Sequence, residues 1–194
     1  TKISELYKDG LQRDQFMPFI KIMQEKSIEH ELKIEDDYRK SNDNQHQRYF
    51  YPLNQETNFK INKFFRTITK NKNKSIISIN LKGRNFKIEN FYEGIVRIKF
   101  NQLCDQNLGA GDYLEIIKNC KFIVIEQVPQ FNDDNSNQQK RFITLLDVIY
   151  EKGIALAVTA NQNLNEFTSS RLLETSFKRA ISRLYELTSI KTNL

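Results

Sequence analysis

The chain offers little to a metal or a redox centre: two cysteines and two histidines in 194 residues. Cys104 and Cys120 do not form a CxxC pair, and His30 and His46 stand apart from both. The tight ligand groups of structural metal sites are therefore missing, and no metal site is expected. Nothing local supports a Cys–His nucleophile pair, and two free thiols suit a reducing compartment. No run approaches the roughly 20 apolar residues that span a bilayer. No signal or transit peptide is visible, and the first residue is Thr1 rather than Met, so the chain is expected to begin inside a domain of a longer protein. No GxxxxGK[ST] occurs either. The glycine-rich Leu108-Gly109-Ala110-Gly111-Asp112 lacks that spacing and reads as the start of a helix with Asp112 as its cap.

What is present is enough for a packed core: 39% hydrophobic residues and 11% aromatics. The length allows one large domain or two small ones. Net charge is +6, but the basic residues are dispersed. The densest run, KNKNK at Lys70–Lys74, has no stacking aromatics interleaved and reads as a solvated loop, so nucleic acid is not the expected partner.

Along the chain, a short helical segment around Leu6 and Tyr7 is broken at Gly10, and a second helix is expected to open near Pro18, with Phe16, Phe19, Ile20 and Met23 at helical spacing. Residues 30–34 alternate like a strand, and residues 36–47 are polar. The aromatic run RYFYPL at residues 48–53 should be extended, and Asn54 caps a helix whose stripe is Ile61, Phe64, Phe65 and Ile68. Ser75 to Phe100 changes to period two and predicts a small antiparallel β region turning at Lys82-Gly83, the candidate for an inserted or separate lobe between a helical front part and an α/β back part. Short helices follow. The back part then runs β-α-β-α: the apolar strand Lys121–Val128, a helix burying Phe142, Leu145, Leu146 and Ile149, Gly153 as its C-cap, the strand Ile154–Ala160, and a last helix over Ser176–Leu187. Glu126, at the end of the first of these strands, reads as a carboxylate on a loop rim. On the last helix Arg179, Arg183 and Glu186 lie opposite Phe177, Ile181, Leu184 and Thr188, and an Arg183–Glu186 pair is the local expectation.

Several of these stretches carry a resemblance. ELYKDGLQRDQFMPFI with DDYRK at residues 36–40, RYFYPLNQETN, LGAGDYL, RFITLLDVIYEKGIALAVTA, and the Phe177-Arg179-Ser182-Arg183-Leu184-Glu186 pattern resemble the ZapE-type AAA+ ATPases, over residues 3 to about 189. That family includes a bacterial cell-division ATPase and a mitochondrial inner-membrane ATPase. The resemblance implies an α/β fold, the C-terminal part of a P-loop AAA+ ATPase, with a small antiparallel β region followed by a β-α-β-α lobe. It implies a division into residues 1–53 (end of the AAA+ core), 54–100 (helix and small β region) and 101–194 (C-terminal lobe).

It also implies roles. Arg13 falls in the segment that carries the arginine finger reaching a neighbouring subunit's nucleotide. For Arg183, with Arg179 beside it, the resemblance implies a sensor-2-like contact to nucleotide or, alternatively, an interdomain contact. ATP and Mg²⁺ would be bound by the parent protein through a P-loop and Walker B acid outside these residues, so this chain alone is expected to be inactive. The parent would assemble as a homo-oligomeric ring. It would couple ATP hydrolysis to remodelling or quality control of division-associated or membrane-associated client proteins. Its place would be the cytoplasm, peripherally at the inner membrane, or the mitochondrion in a eukaryote. Two alternatives remain open at this point: a module docking a client or protease, and a nucleic-acid-binding domain motivated by charge.

Overall fold

The structure, a computed structural model, describes residues 3–8, 10–28 and 48–189. The strand expected at 30–34, the polar segment after it and the DDYRK motif lie outside the described residues. The chain divides into two compact units, Thr1–Asp37 and Tyr38–Leu194.

In the first unit a 3₁₀ turn, Ile3–Glu5, precedes helix α1, Arg13–Lys26. The helix opens at Arg13, five residues before the expected start, so Pro18 lies inside it rather than in its first turn. Gln12 takes the left-handed conformation just before the helix (φ 59°), and Asp14 puts a negative charge beside the helix N-terminus. Those features set the start; Pro18 then removes one internal N–H. A Cβ on Gly10 would sit 2.4 Å from the Tyr7 ring, so glycine is needed there for close approach. Tyr7, Phe16 and Phe19 form a ring series with centroid spacings of 5.3 and 5.1 Å, and Ile20 is buried.

The second unit is built on one six-stranded sheet. Its strands are β1 (Tyr49–Phe50), β2 (Lys74–Leu81), β3 (Arg84–Tyr92), β4 (Ile95–Lys99), β5 (Phe122–Val128) and β6 (Ala155–Ala160). Their order is β1-β6-β5-β4-β3-β2, with the first four parallel and the β2–β3 hairpin antiparallel. The hairpin turns through Lys82 (φ 50°) and Gly83 (φ 85°), both left-handed as a tight two-residue turn requires. The small β region is therefore not an inserted or separate lobe: it continues through β4, whose far edge pairs with β5, into the parallel strands of the same sheet. β4 pairs antiparallel with β3 and parallel with β5, Val96 facing Phe91 on one side and Ile123 on the other.

Helix α2, Gln55–Ile68, packs on one face of the sheet. Asn54 caps it, its Oδ1 accepting from the Thr57 N–H at 2.8 Å. Ile61 and Phe65 meet Ile95, Phe122, Val124, Ala155 and Ala157 there. The remaining helices are α3 (Phe100–Cys104), α4 (Ala110–Ile117), α5 (Ser136–Glu151) and α6 (Glu174–Thr188). They join the larger core with Ile123, Ile125, Leu156 and Val158. β5 and β6 are covered on both faces, which is why they read as nearly continuous apolar runs. Asp112 is not the cap of α4. Gly109 precedes the helix, and the Asp112 carboxylate reaches back from the first turn to accept the Gly109 N–H at 3.0 Å.

Candidate functional site

Arg13 is the first residue of α1, directly after the left-handed Gln12. Its Nη2 donates to the Ser4 carbonyl at 2.8 Å, while its buried Nε has no hydrogen-bond partner among the described residues. Among the described residues the guanidinium is thus held by one carbonyl, that of Ser4 in the preceding 3₁₀ turn.

Arg179 and Arg183 come together on α6, one turn apart, and both reach one carboxylate on α5. Arg179 Nη2 lies 3.0 Å from Asp147 Oδ2, and Arg183 Nη1 donates to Asp147 Oδ1. The Arg183 guanidinium also lies over the Tyr150 ring, 4.9 Å from its centroid, and the Tyr150 hydroxyl donates to Glu186 at 2.9 Å. The expected Arg183–Glu186 pair is replaced by this cross-helix arrangement, because the packing of α5 on α6 brings the half-buried Asp147 within reach. The side chains differ in exposure: 20% for Arg183 and 58% for Arg179.

The C-terminal ends of β4 and β5 form a third constellation, the position where open α/β sheets commonly hold ligands. Glu126 is not a bare rim carboxylate. Arg97 Nη2 lies 2.5 Å from its Oε1, Arg97 Nη1 donates to Asn62 Oδ1 at 2.8 Å, and the guanidinium sits 5.2 Å from the Phe65 ring centroid. This pair lines a surface cavity of about 380 Å³ with Lys87, Lys99 and Gln102. The next residue, Gln127, has φ 62° at a break in the β5–β6 register, and its N–H donates to the Thr159 hydroxyl at 2.9 Å. Gln127 lines a second cavity of about 310 Å³ with Phe100, Asp105, Asn135 and Gln138. Sequence reading missed Asp147, Arg97 and Gln127. The one available signal was polarity interrupting apolar runs, as Asp147 does in ITLLDVIY.

The glycine-rich Gly109–Asp112 stretch does not fit a phosphate. At Gly109–Asp112 the first amide is already bonded to a carboxylate, which would repel phosphate and is itself paired with Arg84 at 3.3 Å. Among the described residues no three of His, Cys, Asp and Glu are grouped to hold a metal ion. Both cysteines are buried, and burial raises their thiol pKa values, Cys120 to about 12, so neither is a nucleophile at neutral pH. Among the described residues no helix is long and apolar enough to cross a membrane.

A mixed six-stranded sheet carrying helices, with its polar constellations at strand ends and on a helix pair, is consistent with the α/β fold of an AAA+ ATPase family. The AFG1-like ATPase family model matches residues 2–193, and the chain belongs to that family. Cell division protein ZapE of Escherichia coli (strain K12) is 26% identical over 185 residues, which cover 95% of this chain and 49% of that protein. Lactation elevated protein 1 homolog B of Danio rerio is 30% identical over 164 residues, 83% of this chain and 33% of that protein. An uncharacterized protein of Schizosaccharomyces pombe is 26% identical over 155 residues, 76% of this chain and 33% of that protein. The chain therefore spans half or less of the length of these relatives. No solved structure matches it.

Proposed function

We propose that the chain is the portion of an AFG1-like ATPase that follows the nucleotide-binding P-loop, and that the parent couples ATP hydrolysis to remodelling or quality control of division-associated or membrane-associated proteins. The observation that carries this is the family match across residues 2–193. It is supported by the partial coverage of the relatives, one of them a cell division protein, and by the missing GxxxxGK[ST]. ATP and Mg²⁺ are held by other residues of the parent, a homo-oligomeric ring in the cytoplasm or at the inner membrane. The 194-residue chain alone should show no Mg²⁺-dependent ATP turnover above a buffer blank.

Within the parent, Arg13 acts as the arginine finger toward the neighbouring subunit's nucleotide. Its bond to the Ser4 carbonyl is one an anion could displace. A planar, always charged donor fork suits phosphate oxygens. Arg179, more than half exposed, is the stronger of the two sensor-like candidates; Arg183 serves to join α5 and α6.

The test is turnover by the full-length parent. Arg13→Ala should lower ATP hydrolysis by about 10³-fold or more while leaving nucleotide affinity intact, as loss of a transition-state contact does. Mixing Arg13→Ala subunits with a P-loop variant should restore part of the activity, since one subunit supplies the pocket and its neighbour the arginine. Full activity of Arg13→Ala alone would reduce Arg13 to a structural residue of the α1 start.

A further inference from the structure

The outer face of α2 carries a line of charge that no described acid neutralises. Lys63 and Arg66 are exposed, and Lys70 continues the line in the turn beyond the helix. Among the described residues none of the three forms an ion pair, whereas Lys60 beside them is paired with Glu56 at 2.6 Å. On the same line, one turn before Lys63, stands Phe59, 69% exposed. At 3.6 residues per turn, Phe59, Lys63 and Arg66 fall within an arc of about 60°, with steps of roughly 4.5–6 Å along the axis. The KNKNK run has no aromatic near it in sequence. The helix supplies one by bringing Phe59 onto the same stripe.

We propose that this face binds single-stranded nucleic acid, the three cations following successive phosphates and Phe59 stacking on a base. A linear row of unpaired cations complements a linear polyanion. An exposed aromatic beside it offers a face for an unpaired base, which a duplex would keep stacked. A lipid surface fits less well. Insertion needs an apolar face several residues wide, and the apolar side of α2 is packed on the sheet through Ile61 and Phe65, leaving Phe59 alone on the outside.

The experiment is fluorescence anisotropy of a labelled oligothymidylate titrated with the full 194-residue chain over a salt series. Binding is expected, with log K falling against log salt at a slope of about −2, from three phosphates at roughly 0.7 each. Phe59→Ala should weaken binding about 5- to 100-fold with the slope unchanged, since stacking releases no counterions. The triple variant Lys63→Glu, Arg66→Glu, Lys70→Glu should abolish it. Lys140→Glu, an exposed change on α5, should have a much smaller effect than Arg66→Glu alone. The substituted side chains are all exposed, and circular dichroism melts check that each variant is folded. The proposal is overturned by no binding at roughly 50 mM salt, by equal loss in Lys140→Glu and Arg66→Glu, by a Phe59→Ala variant that binds as wild type, or by retention on phosphatidylserine vesicles without binding to the oligonucleotide.

Discussion

Asp147 shows what a single side chain decides here. It accepts from Arg179 and Arg183, and the second of these is mostly buried against Tyr150. Removing the carboxylate leaves a largely desolvated guanidinium without its counter-charge, so Asp147→Ala should cost about 1–3 kcal/mol, read as a lower urea midpoint. Glu174, by contrast, meets Lys178 at 2.9 Å in an exposed pair across one helical turn. Glu174→Ala should leave the midpoint unchanged, because water screens such pairs. Equal effects of the two substitutions would mean that the α5–α6 contact is as solvated as the surface pair. The two arginines were legible in the sequence as a charged stripe on one helix, but their partner was not. Helical spacing names neighbours at i+3 and i+4 within one element, while Asp147 lies 36 residues from Arg183 and meets it only because α5 and α6 pack. Gln127 was invisible for a similar reason: its left-handed backbone belongs to the register break between β5 and β6.

At the scale of elements, the helices with wide apolar stripes were legible and their ends were not. The stripe Phe142, Leu145, Leu146 and Ile149 is buried as periodicity requires, and Gly153 follows α5 at φ 63°. The starts of α1 and α4 moved because several residues compete to begin a helix. Pro18 suits a first turn, yet Gln12 and Asp14 set α1 earlier; Asp112 suits a cap, yet it serves from the first turn behind Gly109. Phe142 sits among Phe100 and Phe131, with ring centroids 5.6 and 5.7 Å away, and Leu146 is fully buried beside it on the helix. Phe142→Ala and Leu146→Ala should each lower stability by about 2–5 kcal/mol, the transfer and cavity costs together. Denaturation midpoints within error of wild type for both would remove α5 from the core.

For the molecule as a whole, the α/β class was legible from the switch between period two and helical spacing, but the pairing of strands was not. β4 is the hinge of the sheet, antiparallel to β3 and parallel to β5, and an alternating sequence does not name its neighbours. β1, two residues long, joins at the far edge beside β6, where its Tyr49 hydroxyl donates to the Gln162 carbonyl at 2.6 Å. Assembling that sheet and its helices buries groups that ionise only at high pH, among them the Cys104 and Cys120 thiols and the Tyr49 and Tyr113 hydroxyls. Burial raises the pKa of each above its ordinary value, Cys120 to about 12. The folded protein therefore keeps these protons after the unfolded chain has lost them. Their contribution to stability is complete below the unfolded pKa values, about 8.5 for Cys and 10 for Tyr, and is lost as pH rises beyond them toward the folded values. Each group lowers stability by about 1.4 kcal/mol per pH unit across that window. The urea midpoint should hold between about pH 7 and 8.5 and then fall, first through the thiols and more steeply once the tyrosines join. Cys120→Ala should make the first part of that fall shallower, by about one proton's worth of slope. A midpoint that stays level through about pH 10.5 would show that the thiols and phenols ionise alike in the folded and unfolded chains.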